Sequence, residues 1–218
     1  VWLFGAILAF GVDLYGRGFS VHHILAALIM LGGSFFGLWL SRHSLESIDG
    51  LISFGKVANY NALHDDLTGL PKRVAFRPEM SQILAHARDE SHHFAVLVAD
   101  LNGFKGVNDT LGHFVGDGVL EELSRRFKKV LRSDDFVARW GGDEFAFILP
   151  LTDRVGAEEV AEKLISATDD YFCVEEHEIS IGISMGLAMF PLHADDGGEL
   201  LRMADTALYA AKAKAGSN

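Results

Sequence analysis

The sequence is poor in residues that cross-link or rigidify a chain, and it is short of positive charge. Its single cysteine, Cys173, excludes an internal disulfide and a thiolate metal cluster. Only four prolines occur beside 49% hydrophobic residues, which excludes collagen-like and disordered chains. Nineteen Lys and Arg residues stand against 30 Asp and Glu, giving a net charge of −11. Because a protein that coats nucleic acid needs a basic surface, we expect no nucleic acid polymer as a partner.

The first 60 residues differ from the rest in charge and hydropathy. Their three basic and three acidic residues cancel, and no charged residue occurs over 24–40. Since about 20 apolar residues cross a bilayer, we predict a transmembrane region over 1–42, with the end of one span over 1–12 and a second span over about 22–40. A buried helix of a soluble protein is the alternative. A signal peptide is disfavoured, because the sequence shows neither a basic leader nor a small-residue cleavage site. Arg42 after the second span favours a cytoplasmic location for the following domain.

A helical linker or stalk is predicted over 43–63. Six residues follow the alternating steps of three and four that are typical of a two-stranded coiled-coil seam; they are Leu45, Ile48, Ile52, Gly55, Asn59 and Ala62. The repeat covers fewer than three heptads. A single amphipathic helix that lies on its own domain therefore explains the pattern equally well.

Residues 64–218 alternate short apolar runs with helical stripes. These patterns predict strands over 94–99, 136–140, 145–149 and 179–185, and helices over 72–88, 119–131, 157–165 and 200–211. The central order of strand, helix, strand, strand, helix, strand is that of the ferredoxin-like or split βαβ fold. We expect an α+β domain of this palm-like βαββαβ type, with an antiparallel sheet and helices on one face. Asp195 or Asp196 is expected to cap the last helix.

Acidic residues gather where two predicted strands end. Asp100 closes the first strand, and Asp143 and Glu144 occupy the tip of the hairpin beside it. Crowded carboxylates repel one another unless cations lie between them, and their hard oxygen atoms suit Mg²⁺ or Mn²⁺. Such ions serve phosphoryl and nucleotidyl transfer. Gly141 and Gly142 leave room for a phosphate or sugar at the backbone, although a polar turn without function is the alternative.

The segment after Asp100 points to a guanine nucleotide. Lys105 is placed to neutralise phosphates as a point charge. The carboxylate of Asp117 can accept hydrogen bonds from the two adjacent donors of guanine, and the amide of Asn108 can read the acceptor edge. Helix capping is the alternative for Asn108 and Asp117.

These motifs together resemble the GGDEF family, the diguanylate cyclases. The run Gly141-Gly142-Asp143-Glu144-Phe145 is similar to the family signature, and residues 66–70 resemble its opening motif. Segments 100–109 and 112–117 match its nucleotide segment without gaps, and residues 204–212 resemble its closing helix. The resemblance implies a homodimer that condenses two GTP into cyclic di-GMP and two pyrophosphates, with Mg²⁺ or Mn²⁺. It also implies the inner membrane of a bacterium, with the domain facing the cytoplasm.

The resemblance also implies roles for individual residues. It implies a metal site of Asp100, the Leu101 carbonyl and Asp143. Catalysis is implied for Asp143, Glu144 and Lys105. Substrate binding is implied for Asn108, Asp117, Gly141, Gly142 and Lys212.

A second site is implied by Arg132 and Asp135, which resemble the RxxD motif where product binds and inhibits the family's enzymes. A solvated charge pair is the alternative for these two residues. One departure concerns Gly216-Ser217-Asn218, where the family usually has Gly-Arg-Asn, so a basic phosphate contact is missing. This departure keeps open a second function, a catalytically silent module that binds GTP or cyclic di-GMP and regulates a partner.

Overall fold

The computed structural model describes residues 9–10, 12–13, 15–18 and 20–215, and the chain divides into two compact units between Asn59 and Tyr60. Helix α1 comprises Val21–Leu63, so the backbone is helical throughout the predicted linker. Most of the first predicted span, over 1–12, lies outside the described residues. The side chains over 44–58 lie outside them too, so the predicted coiled-coil seam stays a prediction.

The described part of the first unit exposes large apolar side chains, among them Phe35, Phe36, Leu38 and Trp39. Within the residues that the structure describes, no helix combines the length and the apolar character that a membrane crossing requires. The predicted span over about 22–40 is therefore without support from the structure and stays a prediction.

The second unit follows the predicted alternation of strands and helices. Its elements are α2 (Arg73–Glu90), β1 (Phe94–Asn102), α3 (Phe104–Leu111), α4 (His113–Val130), β2 (Phe136–Gly141), β3 (Glu144–Pro150), α5 (Arg154–Ser166), β4 (Phe172–Val174), β5 (His177–Ile179), β6 (Gly182–Phe190) and α6 (Gly197–Ala215).

The main sheet has the ferredoxin-like strand order β2-β3-β1-β6, with antiparallel neighbours throughout, which confirms the predicted α+β class. The strand predicted over 179–185 is wrong in its bounds. Residues 177–179 belong to a separate β4–β5 hairpin, and the sheet strand begins only at Gly182 and continues to Phe190. Alternating side chains reveal extended backbone, but they do not reveal that the chain changes its pairing partner.

Helices cover both faces of the sheet, so the expectation of helices on one face is wrong. Alternate residues of β1 enter two cores: Ala95 and Leu97 pack with α4 and α5, whereas Val96 and Val98 pack with α2 and α6. The first six residues of β1 are buried. A strand that is apolar on both faces needs a helical layer on each side, and α2 and α6 supply the second layer.

Helix α6 packs unusually close to β6. A Cβ atom at Gly186 would lie 2.0 Å from the carbonyl oxygen of Ala204, so only glycine permits this approach. The helix starts at a cap, because Asp196 Oδ1 accepts hydrogen bonds from the backbone N–H groups of Gly198 and Glu199. The predicted cap is thus confirmed, and α6 carries Lys212 to the C-terminal end of β1, where it pairs with Asp100.

Candidate functional site

Three carboxylates meet where β1 ends beside the β2–β3 turn. Asp100 and Glu144 are direct cross-strand partners in the antiparallel β1–β3 pair. Asp143 lies in the turn, and its carbonyl oxygen accepts a hydrogen bond from the Leu101 N–H at 3.3 Å. The topology therefore brings together the acidic residues that the sequence analysis singled out. We refer to Asp100, Asp143 and Glu144 as the acidic cluster.

A lysine from α6 reaches the acidic cluster. Lys212 Nζ lies 2.7 Å from Asp100 Oδ1, and the Asp100 side chain is only 14% exposed. Lys105 lies exposed in the first turn of α3 and does not belong to the ion pairs of the cluster within the described residues. Of the two lysines predicted to bind phosphates, Lys212 is therefore the one that forms an ion pair with the acidic cluster.

The pKa is raised for two carboxyl groups of the cluster, those of Asp143 and Glu144. Burial raises the pKa of Asp143, and the negative charge of Asp100 raises it further. A backbone hydrogen bond and the positive charge of Lys212 lower the pKa, but by less than the raising effects. Burial also raises the pKa of Glu144, and the charges of Asp100 and Asp143 add to that effect. Like charges held together at the end of two strands form a site whose repulsion a cation would relieve.

The donor set fits a hard divalent cation. Carboxylate oxygens of Asp100 and Asp143 and the carbonyl of Leu101 are the oxygen ligands that Mg²⁺ prefers. In the described part of the chain, no group of three or more His, Cys, Asp or Glu side chains is arranged to hold a metal. The proposed metal set therefore depends on the backbone carbonyl of Leu101 as well as on two carboxylates.

An arginine holds the turn that carries Asp143. Arg139 Nε and Nη2 donate to the Gly142 carbonyl oxygen at 3.0 and 2.8 Å, and Nη1 donates to Asp65 Oδ1 at 2.9 Å. Burial raises the pKa of Asp65, but hydrogen bonds from Thr68 and Arg139 outweigh burial and lower it. We call Asp65, Arg139 and the Gly142 carbonyl the turn clamp.

The turn clamp was not predicted from the sequence. The available signal was a charged residue, Arg139, inside an otherwise apolar strand run, because a charge there needs a partner when the strand is buried. Its partner Asp65 is 74 residues away, so no local pattern could identify it.

Gly141 and Gly142 form the open side of the turn. No heavy atom lies within 4 Å of the position that a Cβ would take at either glycine, and Gly142 has φ +54°. A pocket of about 490 Å³ adjoins the turn and includes Lys72, Arg73 and Trp140 in its lining. The backbone at this turn is therefore accessible to a ligand, as the sequence analysis predicted.

The two residues predicted to read guanine lie on consecutive helices. Asn108 is on α3 and Asp117 is on α4, and Asn108 Oδ1 would lie 2.0 Å from a Cβ at Gly116. The amide thus packs over the residue that precedes Asp117. The capping alternative is wrong for both residues, because glycines occupy the N-cap positions of α3 and α4 and neither helix has a side-chain cap hydrogen bond.

Gly116→Ala tests the predicted guanine contact of Asn108 and is expected to leave the domain folded. The new methyl group displaces the flexible end of Asn108 and so removes its predicted hydrogen bond to guanine. Because one such hydrogen bond is worth about a factor of ten in affinity, KM for GTP is expected to rise by about tenfold. Steady-state kinetics measures this change. Gly106→Ala is the matched control on α3, since no atom lies within 4 Å of its Cβ position. An unchanged KM for Gly116→Ala would contradict guanine recognition by Asn108.

Arg132 and Asp135 lie at the opposite end of β2 from the acidic cluster. Asp135 Oδ2 accepts a hydrogen bond from the Arg132 N–H at 2.8 Å, and the Asp135 N–H donates to the Arg132 carbonyl. The Arg132 side chain is exposed and lines a pocket of about 520 Å³. Asp135 therefore closes the turn from which Arg132 projects.

Comparison with known proteins identifies the family to which the chain belongs. The family model described as "Diguanylate cyclase, GGDEF domain" matches residues 62–218. The diguanylate cyclase TpbB of Pseudomonas aeruginosa is 39% identical over 158 residues, which are 72% of this chain and 36% of TpbB. The bifunctional diguanylate cyclase/cyclic di-GMP phosphodiesterase MucR of the same organism is 39% identical over 151 residues, which are 69% of this chain and 22% of MucR.

A solved structure gives the same result for the fold. The coiled coil and GGDEF domain of DgcB from Caulobacter crescentus, determined in complex with c-di-GMP, is 28% identical with a TM-score of 0.72. The match covers 78% of this chain and 91% of that chain. This chain spans between 22% and 36% of the length of the two curated relatives.

Proposed function

We propose that this chain, which belongs to the GGDEF family of diguanylate cyclases, condenses two GTP into cyclic di-GMP and releases two pyrophosphates. The observation that carries the proposal is the acidic cluster with Lys212 at 2.7 Å from Asp100. Asp143 and Glu144, whose pKa values are raised by burial and by neighbouring negative charge, lie beside an open glycine turn and are suited to a divalent cation and a polyphosphate.

In the proposed reaction, the 3′ oxygen of one GTP forms a bond to the α-phosphorus of the other. The bond from that phosphorus to the bridging oxygen of pyrophosphate breaks, and the 3′ hydroxyl proton passes to solvent. Two such steps close the ring. Asp100, Asp143 and the Leu101 carbonyl would hold a Mg²⁺ or Mn²⁺ ion, which would supply charge stabilisation at the phosphates.

The residues of this chain bind and orient the substrate. Asn108 and Asp117 hold guanine, Lys212 and Lys105 neutralise phosphate charge, and the turn clamp fixes Asp143. One domain binds one GTP, so a homodimer is required to bring the two nucleotides together. Dimer formation then supplies the proximity and orientation that lower the barrier, which makes dimer geometry a point of control.

Product inhibition at Arg132 and Asp135 belongs to the same proposal. The exposed arginine beside a pocket supports it, since a guanidinium binds phosphate or guanine edges well. A catalytically silent module that binds GTP or cyclic di-GMP is the second candidate, because a pocket beside an exposed arginine would also suit a protein that binds a nucleotide without turnover. The two functions differ in whether bound GTP is turned over, so product formation distinguishes them.

We also propose membrane attachment through the first unit, at the inner membrane of a bacterium with the second unit in the cytoplasm. The exposed apolar side chains of α1, such as Phe35 and Trp39, support it. Expression of the chain in bacteria followed by fractionation tests it. Sedimentation with membranes, resistant to salt and released by detergent, is expected; recovery in the supernatant would contradict attachment.

Incubation of the purified chain with GTP and Mg²⁺ tests the enzymatic proposal. Cyclic di-GMP, identified by mass spectrometry, is the expected product, and ATP is expected to give none because adenine lacks the paired donors that Asp117 accepts. Saturable GTP binding without product would favour the silent module. Absence of both binding and product would contradict each candidate.

A further inference from the structure

An exposed aromatic ring lies in the first turn of α4. Phe114 is 71% exposed, and in the described part of the second unit no other phenylalanine is exposed. Its side chain therefore contributes little to either core. Because a single exposed ring is common on a protein surface, the groups around Phe114 decide whether it has a role.

Phe114 borders a cavity that also contains Asp117. The cavity measures about 520 Å³, and its lining includes Leu67, Phe114, Asp117 and Gly118. Residues three positions apart lie on the same face of a helix, so Phe114 is a neighbour of Asp117 on the surface of α4. Asp117 is the residue predicted to accept the paired N–H donors of guanine. The ring and the predicted guanine contact therefore share one cavity.

The charge of this cavity disfavours phosphates. Four carboxylates line it, those of Asp117, Glu121, Glu122 and Glu175. Among the described lining residues, Arg125 is the only cation, and it forms an ion pair with Glu122. Negative charge repels a triphosphate but favours the N–H donor edge of a purine. The cavity therefore suits the base of a nucleotide, with the phosphates outside it.

The floor of the cavity is fixed, whereas the ring at its edge is free to move. Leu67 packs against the core, and a Cβ at Gly118 would lie 2.6 Å from Cγ1 of Val174 in the β4–β5 hairpin. Phe114 is largely exposed, so its side chain can change rotamer. A planar base whose donor edge meets Asp117 lies within reach of this ring, because side chains three apart on a helix are separated by about 5–6 Å at Cβ.

We propose that Phe114 stacks on the guanine base of bound GTP while Asp117 accepts the hydrogen bonds of its donor edge. This inference rests on the proposed function, since it names a further residue that binds the substrate. Stacking of a base on an aromatic side chain is worth roughly fivefold to a hundredfold in affinity. Every base has a flat face, so the ring adds affinity for any nucleotide, and the choice of guanine stays with the carboxylate.

Equilibrium dialysis of the 218-residue chain with Mg²⁺ and a GTP analogue tests this proposal. The analogue has a methylene group between the α- and β-phosphorus atoms, so it binds without releasing pyrophosphate. Phe114→Ala is expected to raise Kd by about tenfold, and Phe114→Trp is expected to restore the Kd of the unmodified chain. Tyr171→Ala is the matched control with unchanged Kd, since Tyr171 is 60% exposed and does not line the cavity.

Two further measurements respond to stacking and not to a general loss of structure. In steady-state assays with GTP, Phe114→Ala should raise KM by about tenfold and leave kcat unchanged, because stacking acts equally on the bound substrate and the transition state. In Phe114→Trp, the tryptophan emission gained over the unmodified chain should be quenched by the analogue, because contact with a purine ring quenches indole fluorescence.

The outcomes separate failure of the inference from failure of the proposed function. If the unmodified chain binds the analogue and Phe114→Ala binds it with the same Kd, the inference is overturned while the proposed function stands. A loss in Phe114→Ala that Phe114→Trp does not restore would also overturn stacking. If the unmodified chain neither binds the analogue nor forms cyclic di-GMP from GTP, the inference and the proposed function both fall.

Discussion

Asp143→Asn is expected to reduce cyclic di-GMP formation by about a thousandfold or more. Asp143 lies in the glycine turn next to Leu101 and in the field of Asp100. An amide in its place keeps the shape but removes the negative charge that would hold a divalent cation, and groups that stabilise developing charge at a reaction centre contribute on the order of 10²–10³ in rate or more. Initial rates of product formation at saturating GTP and Mg²⁺ measure the effect.

The same substitution is expected to stabilise the metal-free protein. Burial and Asp100 raise the pKa of Asp143, so the folded state binds its proton more tightly than the unfolded state does, and stability falls as the pH rises above the ordinary carboxyl range. Removing the charge should raise Tm at pH 7.5 by on the order of 1 °C after solvent screening, and leave Tm unchanged near pH 3. Asp169→Asn, on the exposed segment after α5, is the control for both measurements.

If Asp143→Asn formed cyclic di-GMP as fast as the unmodified chain does, the assignment of Asp143 to the active site would be contradicted.

Arg139→Gln is expected to lower the free energy of unfolding by about 2–3 kcal/mol. The side chains of Arg139 and Asp65 are only 14% and 21% exposed, and removal of one partner leaves the other charge largely buried without compensation. The Gly142 carbonyl also loses both of its arginine donors. Urea unfolding followed by circular dichroism measures the loss.

The variant should also lose activity where it is still folded. A looser turn displaces Asp143, and misplacement by about 1 Å costs on the order of a hundredfold in rate. Arg154→Gln provides the matched control, because Arg154 pairs with Glu158 on the exposed surface of α5 and should affect neither stability nor rate noticeably. If Arg139→Gln and Arg154→Gln behaved alike, the turn clamp would have no role in holding the site.

Local patterns were sufficient to predict the four strands of the main sheet, four of the helices and the acidic cluster, but not helix α3 or the β4–β5 hairpin. Apolar runs and helical stripes are set by short-range periodicity, and the ferredoxin-like order then places Asp100 opposite the hairpin tip without further information. The cap at Asp196 was equally local. These predictions succeeded because each depends on residues close in sequence or on a single topological rule.

The remaining features depend on contacts between distant segments. The second helical layer, formed by α2 and α6, requires knowledge of which face of β1 each helix covers. The ion pair of Arg139 with Asp65 and that of Lys212 with Asp100 join segments 74 and more residues apart. Periodicity also continued across Ser180 and Ile181, so it could not show that the chain leaves the hairpin and enters the sheet.

The most direct test of the acidic cluster as a cyclase site follows the α-phosphate of GTP. With GTP labelled at that phosphate, the unmodified chain and Mg²⁺ should transfer the label into cyclic di-GMP and release one pyrophosphate for each GTP consumed. Asp143→Asn should do neither. Label that appears in GDP with release of inorganic phosphate, or equal transfer by both proteins, would contradict the account.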